Sequence, residues 1–87
     1  MKYVIEISCV DSQGQESKRV FQKDLDLPIP PNNLTIGSYI AKRAETSYDL
    51  TTGEFSANYH LAFVGIFSDY DESTSLIFHN GWEVVGG

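Results

Sequence analysis

The residues best suited to chemistry in this chain are carboxylates set beside aromatic rings: Tyr48-Asp49, Glu54-Phe55, Asp69-Tyr70-Asp71-Glu72 and Trp82-Glu83. Tyrosine and tryptophan supply large contact area at low entropy cost, and carboxylates around them steer and pair with lysine or arginine. This is binding chemistry rather than bond-breaking chemistry. The pattern assigns charge to Asp69, Asp71 and Glu72, an anchoring ring to Tyr70, and an extension of the same patch to Tyr48, Asp49 and Glu54 if the two segments meet in space. The competing reading places Phe55 and Trp82 in the core and makes the acids a solvated face that keeps the chain soluble.

Charge is divided unevenly along the sequence. Residues 1–45 carry all six basic residues (Lys2, Lys18, Arg19, Lys23, Lys42, Arg43) and six acidic ones, so they balance. Residues 46–87 carry Asp49, Glu54, Asp69, Asp71, Glu72 and Glu83 with no cation, so the whole net charge of -6 falls there. A surface of that kind repels DNA and RNA and matches a basic protein surface instead. The expected partner is therefore a basic, nucleic-acid-binding protein or complex, with no direct nucleic-acid or membrane contact. Exposed strand edges and aromatics make a homodimer the further alternative.

Catalytic constellations are thin, and no enzyme activity or cofactor is expected. His60 and His79 are the only histidines, and neither has a nucleophile or metal ligand at a recognisable spacing. No glycine-rich phosphate loop follows a strand, and no serine sits in a nucleophile elbow. Asp69, Asp71 and Ser73 echo the first ligands of a calcium loop. Thr74, however, stands where that loop needs glycine, and Asn80 where it needs a bidentate glutamate, so a solvated acidic turn is the better reading and no metal is expected. Cys9 is the single cysteine; it falls in the alternation Tyr3, Ile5, Ile7, Cys9, which makes it a buried thiol in a reducing compartment. The start of the chain lacks the apolar run of a signal peptide, and no stretch reaches the ~20 apolar residues of a membrane span, so a cytoplasmic location, in a cell or an infected host, is expected.

The elements that would position these groups follow from periodicity. With 87 residues the chain makes one α+β domain, 1–87. Residues 2–11 and 17–27 alternate like strands around the polar turn Asp11–Glu16, giving a hairpin whose second strand carries Lys18 and Lys23 on a partly exposed edge. Pro28-Ile29-Pro30-Pro31 stops the sheet. Ile36, Tyr39, Ile40 and Ala44 then fall at i, i+3, i+4 and i+8, predicting a helix over about 35–46 with Lys42 and Arg43 complementing its C-terminal dipole. Residues 48–57, with Thr51-Thr52-Gly53, read as a loop or an irregular edge. Residues 59–67 are apolar on both alternating sets, which predicts a central strand covered on both faces. Asp69–Ser73 reads as a connection, and Asn80-Gly81 between 74–79 and 82–85 as a hairpin turn. The predicted order is β-β-α-β-β-β, one helix on an antiparallel or mixed sheet.

Two resemblances bear on function. In size, charge and compactness the chain is similar to small acidic α+β phage proteins, including anti-CRISPR and anti-restriction inhibitors, which block host nucleases or defence complexes; the resemblance implies an anti-defence inhibitor that covers a nucleic-acid-binding surface as a nucleic-acid mimic. Gly86-Gly87 after a strand-strand-helix-strands order resembles the ubiquitin-like modifiers and sulfur carriers of the β-grasp fold. That resemblance implies a carrier acting through its C-terminal glycines.

Overall fold

The computed structural model describes residues 1–65 and 67–86. Its elements are β1 (Lys2–Val10), β2 (Glu16–Asp24), β3 (Asn33–Ile36), β4 (Tyr39–Tyr48), β5 (Phe55–Val64), α1 (Phe67–His79) and β6 (Glu83–Gly86). The strands form one six-stranded sheet in the order β3-β4-β5-β1-β2-β6. β1 and β5 run parallel, and every other neighbouring pair is antiparallel. β5 and β6 consequently point the same way, and α1 is the crossover between them, passing β1 and β2 on one face of the sheet.

The α+β class holds, whereas the element order differs from expectation in two places. The predicted 35–46 helix is a hairpin, with Ile36 opposite Tyr39 and Asn33 opposite Lys42. Its turn is the two residues Gly37-Ser38, and Gly37 has φ of 60° while no non-glycine residue is positive, which is the pattern of a type II′ turn. β-branched Thr35, Ile36, Ile40 and Thr46 favour the pleated alternative. The predicted 74–79/82–85 hairpin is instead the second half of α1 followed by β6. The order is thus β-β-β-β-β-α-β, and the helix does not follow the first hairpin as the β-grasp resemblance implied.

The core lies on the helix side. Tyr3, Ile5, Ile7 and Cys9 of β1 are all buried, and Phe21 faces Ile5 across the β1–β2 register. Ala57 and Tyr59 of β5, Ile36, Ala41, and Tyr70 and Ile77 of α1 complete it. Cys9 is buried as its alternation predicts. Period-two alternation explains the pattern: odd residues of β1 meet the helix, and even residues face solvent on the open side. β5 is interior to the sheet but covered on that one side only, with His60, Ala62 and Val64 exposed. The predicted strand ran to Phe67, but β5 ends at Val64 and Phe67 opens α1, while Ile66 lies outside the described residues. β6 pairs with β2 only along Val20–Gln22, so the Glu16–Arg19 part of β2, with Lys18, remains an exposed edge as expected, while Lys23 lies just past the paired stretch.

The proline segment 25–32 crosses beneath the sheet on the core side, from the end of β2 to the start of β3. Buried tyrosines hold it: the Tyr3 hydroxyl donates to the Leu27 carbonyl at 3.4 Å and the Tyr59 hydroxyl to the Pro31 carbonyl. Arg43 donates Nη1 to the Pro30 carbonyl at 2.9 Å and its amide to the Asn32 carbonyl at 2.8 Å. Arg43 therefore serves a loop rather than a helix dipole. Among the described residues no helix is long and apolar enough to cross a membrane.

Candidate functional site

Helix α1 organises the acidic residues. Tyr70, Ser73, Thr74 and Ile77 fall at i, i+3, i+4 and i+7 and form its buried face. Two of these are small and polar. Their hydroxyls turn back on the helix, Ser73 to the Tyr70 carbonyl at 2.9 Å and Thr74 to the Asp71 carbonyl at 3.0 Å, so among the described residues no buried side-chain donor is left unpaired. Asp69 in the first turn and His79 in the last complement the helix dipole. The helix stops at Asn80-Gly81, where Gly81 has φ of 84° and the Asn80 amide side chain donates to the Leu76 carbonyl at 2.6 Å. From β2, Lys23 donates Nζ to the Asn80 carbonyl at 2.9 Å, a cation at the negative end.

Of the residues expected to form one acidic patch, the fold brings together only those of α1. Asp69 and Glu72 both accept from the Tyr39 hydroxyl, at 2.8 and 3.3 Å. The Asp69 bond first, then desolvation and the two negative charges, push the Tyr39 hydroxyl up to about 12. Asp71 is exposed and its carboxylate has no hydrogen-bond or ion-pair partner among the described residues. Tyr70 is only 4 % exposed and packs into the core, so its ring is not presented to solvent.

Tyr48, Asp49 and Glu54 lie elsewhere. They belong to the β4–β5 turn, at the start of β5, whereas α1 begins just after its end. Ten residues at about 3.3 Å each separate the two acidic segments by roughly 30 Å, several Debye lengths at physiological salt. The turn also uses its own acids. Asp49 Oδ1 accepts from the Thr51 hydroxyl at 2.6 Å and from the Thr51 and Thr52 amides at 2.8 and 3.3 Å, bonds that hold its carboxyl below the ordinary value. Glu54 pairs with Lys2 at 3.6 Å.

Three contributors escaped the sequence reading. Phe67 and Phe78 are 58 % and 59 % exposed and lie with Asp71 and Thr74 along one flank of α1, at i, i+4, i+7 and i+11. Arg19 of β2 lines the groove beside that flank together with Asp71 and Phe78. The signal was present in the helical spacing of Tyr70, Ser73, Thr74 and Ile77 and in the Asn-Gly stop, but splitting 67–79 between a strand, a connection and a hairpin arm concealed it.

The groups with catalytic potential are dispersed. His60 is exposed on the open sheet face with Nε2 3.2 Å from Glu6, which also pairs with Lys18 at 3.2 Å. His79 is exposed at the helix end, its Nδ1 2.9 Å from the Ser75 carbonyl. Among the described residues no three His, Cys, Asp or Glu side chains come together as a metal site. Asp69, Asp71 and Ser73 stand on a helix, with Ser73 turned into the core. Gly86 pairs with Val20 in the sheet, and Gly87 lies outside the described residues. Compared with protein-family models, with curated proteins and with solved structures, the chain matches none.

Proposed function

We propose that this protein is a non-enzymatic binding module that uses α1 to occupy a basic surface of another protein. The observation that supports this most is the flank of α1: Phe67 and Phe78 stand more than half exposed there, beside the free carboxylate of Asp71, while Asp69 and Glu72 lie on the helix's other flank against the Tyr39 hydroxyl. Large aromatic rings left in solvent next to carboxylates are the composition of an interface anchor with its steering charges. The binding surface is thus one helix and its neighbourhood, not the whole acidic half. A nucleic-acid-binding protein is the partner class that offers such a surface, and covering it is how an anti-defence inhibitor of the phage type would act.

The reading is tested by immobilising the chain and its D71N/E72Q variant and comparing capture of basic proteins from the relevant lysate at low and high salt. Exposed ion pairs contribute about 0.2–1 kcal/mol each, so losing two should weaken a specific partner roughly two- to thirtyfold. Raising the salt should have a similar effect on the unmodified chain. A partner held equally well by both chains at both salt concentrations would refute the electrostatic role.

A further inference from the structure

The flank of α1 that carries Phe67 and Phe78 turns toward β2 and β6 without closing against them. Between them runs a groove of about 240 Å³, with Arg19 and Phe21 from β2, Val84 from β6, and Asp71, Thr74 and Phe78 from α1 on its walls. Phe21 and Val84 are opposite each other in the β2–β6 register, so both present the same side of the sheet to the helix. Phe21 is 1 % exposed and forms the floor, while Val84 and Phe78, at 40 % and 59 %, form the walls.

The rim is polar and unpaired. Arg19 and Asp71 line the same groove yet make no ion pair, since the pairs among the described residues are Lys2–Glu54, Lys18–Glu6 and His60–Glu6. Size narrows the ligand class. Pockets for cofactors and drug-sized molecules run to about 300–1,000 Å³ and enclose their ligand, whereas this open groove suits one side chain and its adjoining main chain. Charge narrows it further: the groove carries one carboxylate, Asp71, and one permanent cation, Arg19, with Ser75 and His79 beside them. An unpaired Asp71 suits a basic side chain, and Arg19, a donor only, is suited to main-chain carbonyls.

We infer that the groove receives an extended peptide segment of the partner, with an apolar side chain over Phe21 between Phe78 and Val84, a neighbouring lysine or arginine on Asp71, and main-chain carbonyls accepting from Arg19. The inference rests on α1 being the binding surface and adds the anchor that charge alone does not supply. Specificity then lies in the pairing of an apolar with a basic residue rather than in positive charge.

The test is a two-dimensional ¹H–¹⁵N NMR titration of the whole chain with three capped tetrapeptides, Ala-Phe-Arg-Ala, Ala-Phe-Glu-Ala and Ala-Ala-Arg-Ala. The first should shift the amides of Phe21, Thr74, Phe78 and Val84 in a saturable way, and the second should not. The third should perturb only the 69–72 amides. In a Phe78→Ser variant, whose dispersed spectrum would report an intact fold, binding of the first peptide should weaken about tenfold, the loss expected of an aromatic anchor, while the third peptide's effect persists. Equal responses to the arginine and glutamate peptides would overturn the groove's selectivity. Shifts confined to residues 69–72 with the first peptide would overturn the groove and leave the acidic-helix reading standing. Silence toward both arginine peptides would overturn the two together.

Discussion

Replacing Gly37 by alanine gives opposite results for the two ways of folding segment 33–48. In the β3–β4 hairpin Gly37 has φ of 60°, a region that costs an L-residue with a side chain about 1–2 kcal/mol. A Cβ there would also stand 3.0 Å from Leu76 Cδ1 of α1, a contact the flexible leucine end can relieve by a small shift. The sum is a destabilisation of about 1–2 kcal/mol, with the backbone term dominant. In a helix over 35–46 the same substitution would stabilise by up to about 1 kcal/mol, because alanine is the better helix former. For a domain of this size each kcal/mol moves the melting temperature by roughly 4–8 °C, so Gly37→Ala should melt about 4–16 °C below the parent chain. Thermal and urea unfolding followed by circular dichroism measure both values. A D-alanine placed at this position by chemical synthesis should lose little, since a D-residue adopts positive φ without strain. An unchanged or raised melting temperature for Gly37→Ala would refute the turn.

The remaining predictions concern pH. With its folded value raised to about 12 against an ordinary value near 10, Tyr39 contributes stability that is fully present below about pH 10 and lost as the pH rises toward 12; ultraviolet titration of the tyrosinates should show one late group that disappears in Tyr39→Phe. Asp49 is displaced the other way, its folded value lowered first by the Thr51 hydroxyl and then by the turn amides. It supports the β4–β5 turn above about pH 4 and loses that support as the pH falls through its lowered value, so carbon-13 chemical shifts of the Asp49 carboxyl should titrate below those of an unfolded reference, and Asp49→Asn should remove the acid dependence of the neighbouring Thr51 and Thr52 amides.

How much of this fold was legible depended on whether a local pattern had one physical meaning. The alternation Tyr3, Ile5, Ile7, Cys9 had one, and β1 is buried at those four positions. Pro28–Pro31 also had one, as a segment that cannot join a ladder. Ile36, Tyr39, Ile40 and Ala44 fitted a helical stripe, but in the hairpin Ile36 and Tyr39 are the closing pair, whereas Ile40 is 51 % exposed. The Gly-Ser pair between two β-branched runs was the overlooked hairpin signal. Asn80-Gly81 misled for a related reason: a type I′ turn and a helix C-terminus both call for a residue at positive φ, and here glycine alone supplies it. Helix α1 was hardest to see because its buried face includes the polar Ser73 and Thr74, which break the apolar stripe.

The same placement changes what an acidic half-sequence means. Glu54 is paired with Lys2, Asp49 holds together its own turn, and Asp69 and Glu72 share the Tyr39 hydroxyl. Among the described residues, Asp71 and Glu83 are the carboxylates of that half left with no hydrogen-bond or ion-pair partner. Asp71 is on the groove wall, whereas Glu83, on the opposite face of β6 from Val84, lines a separate cleft with Lys2 and Lys23. A charge surplus spread over 42 residues of sequence thus narrows to two uncommitted carboxylates, of which Asp71 alone lines the groove between α1, β2 and β6. Bulk charge would make the six acids interchangeable. Their committed neighbours make them unequal, so on the proposed binding reading recognition at this surface would turn on Asp71 and the phenylalanines beside it rather than on the net charge of the chain.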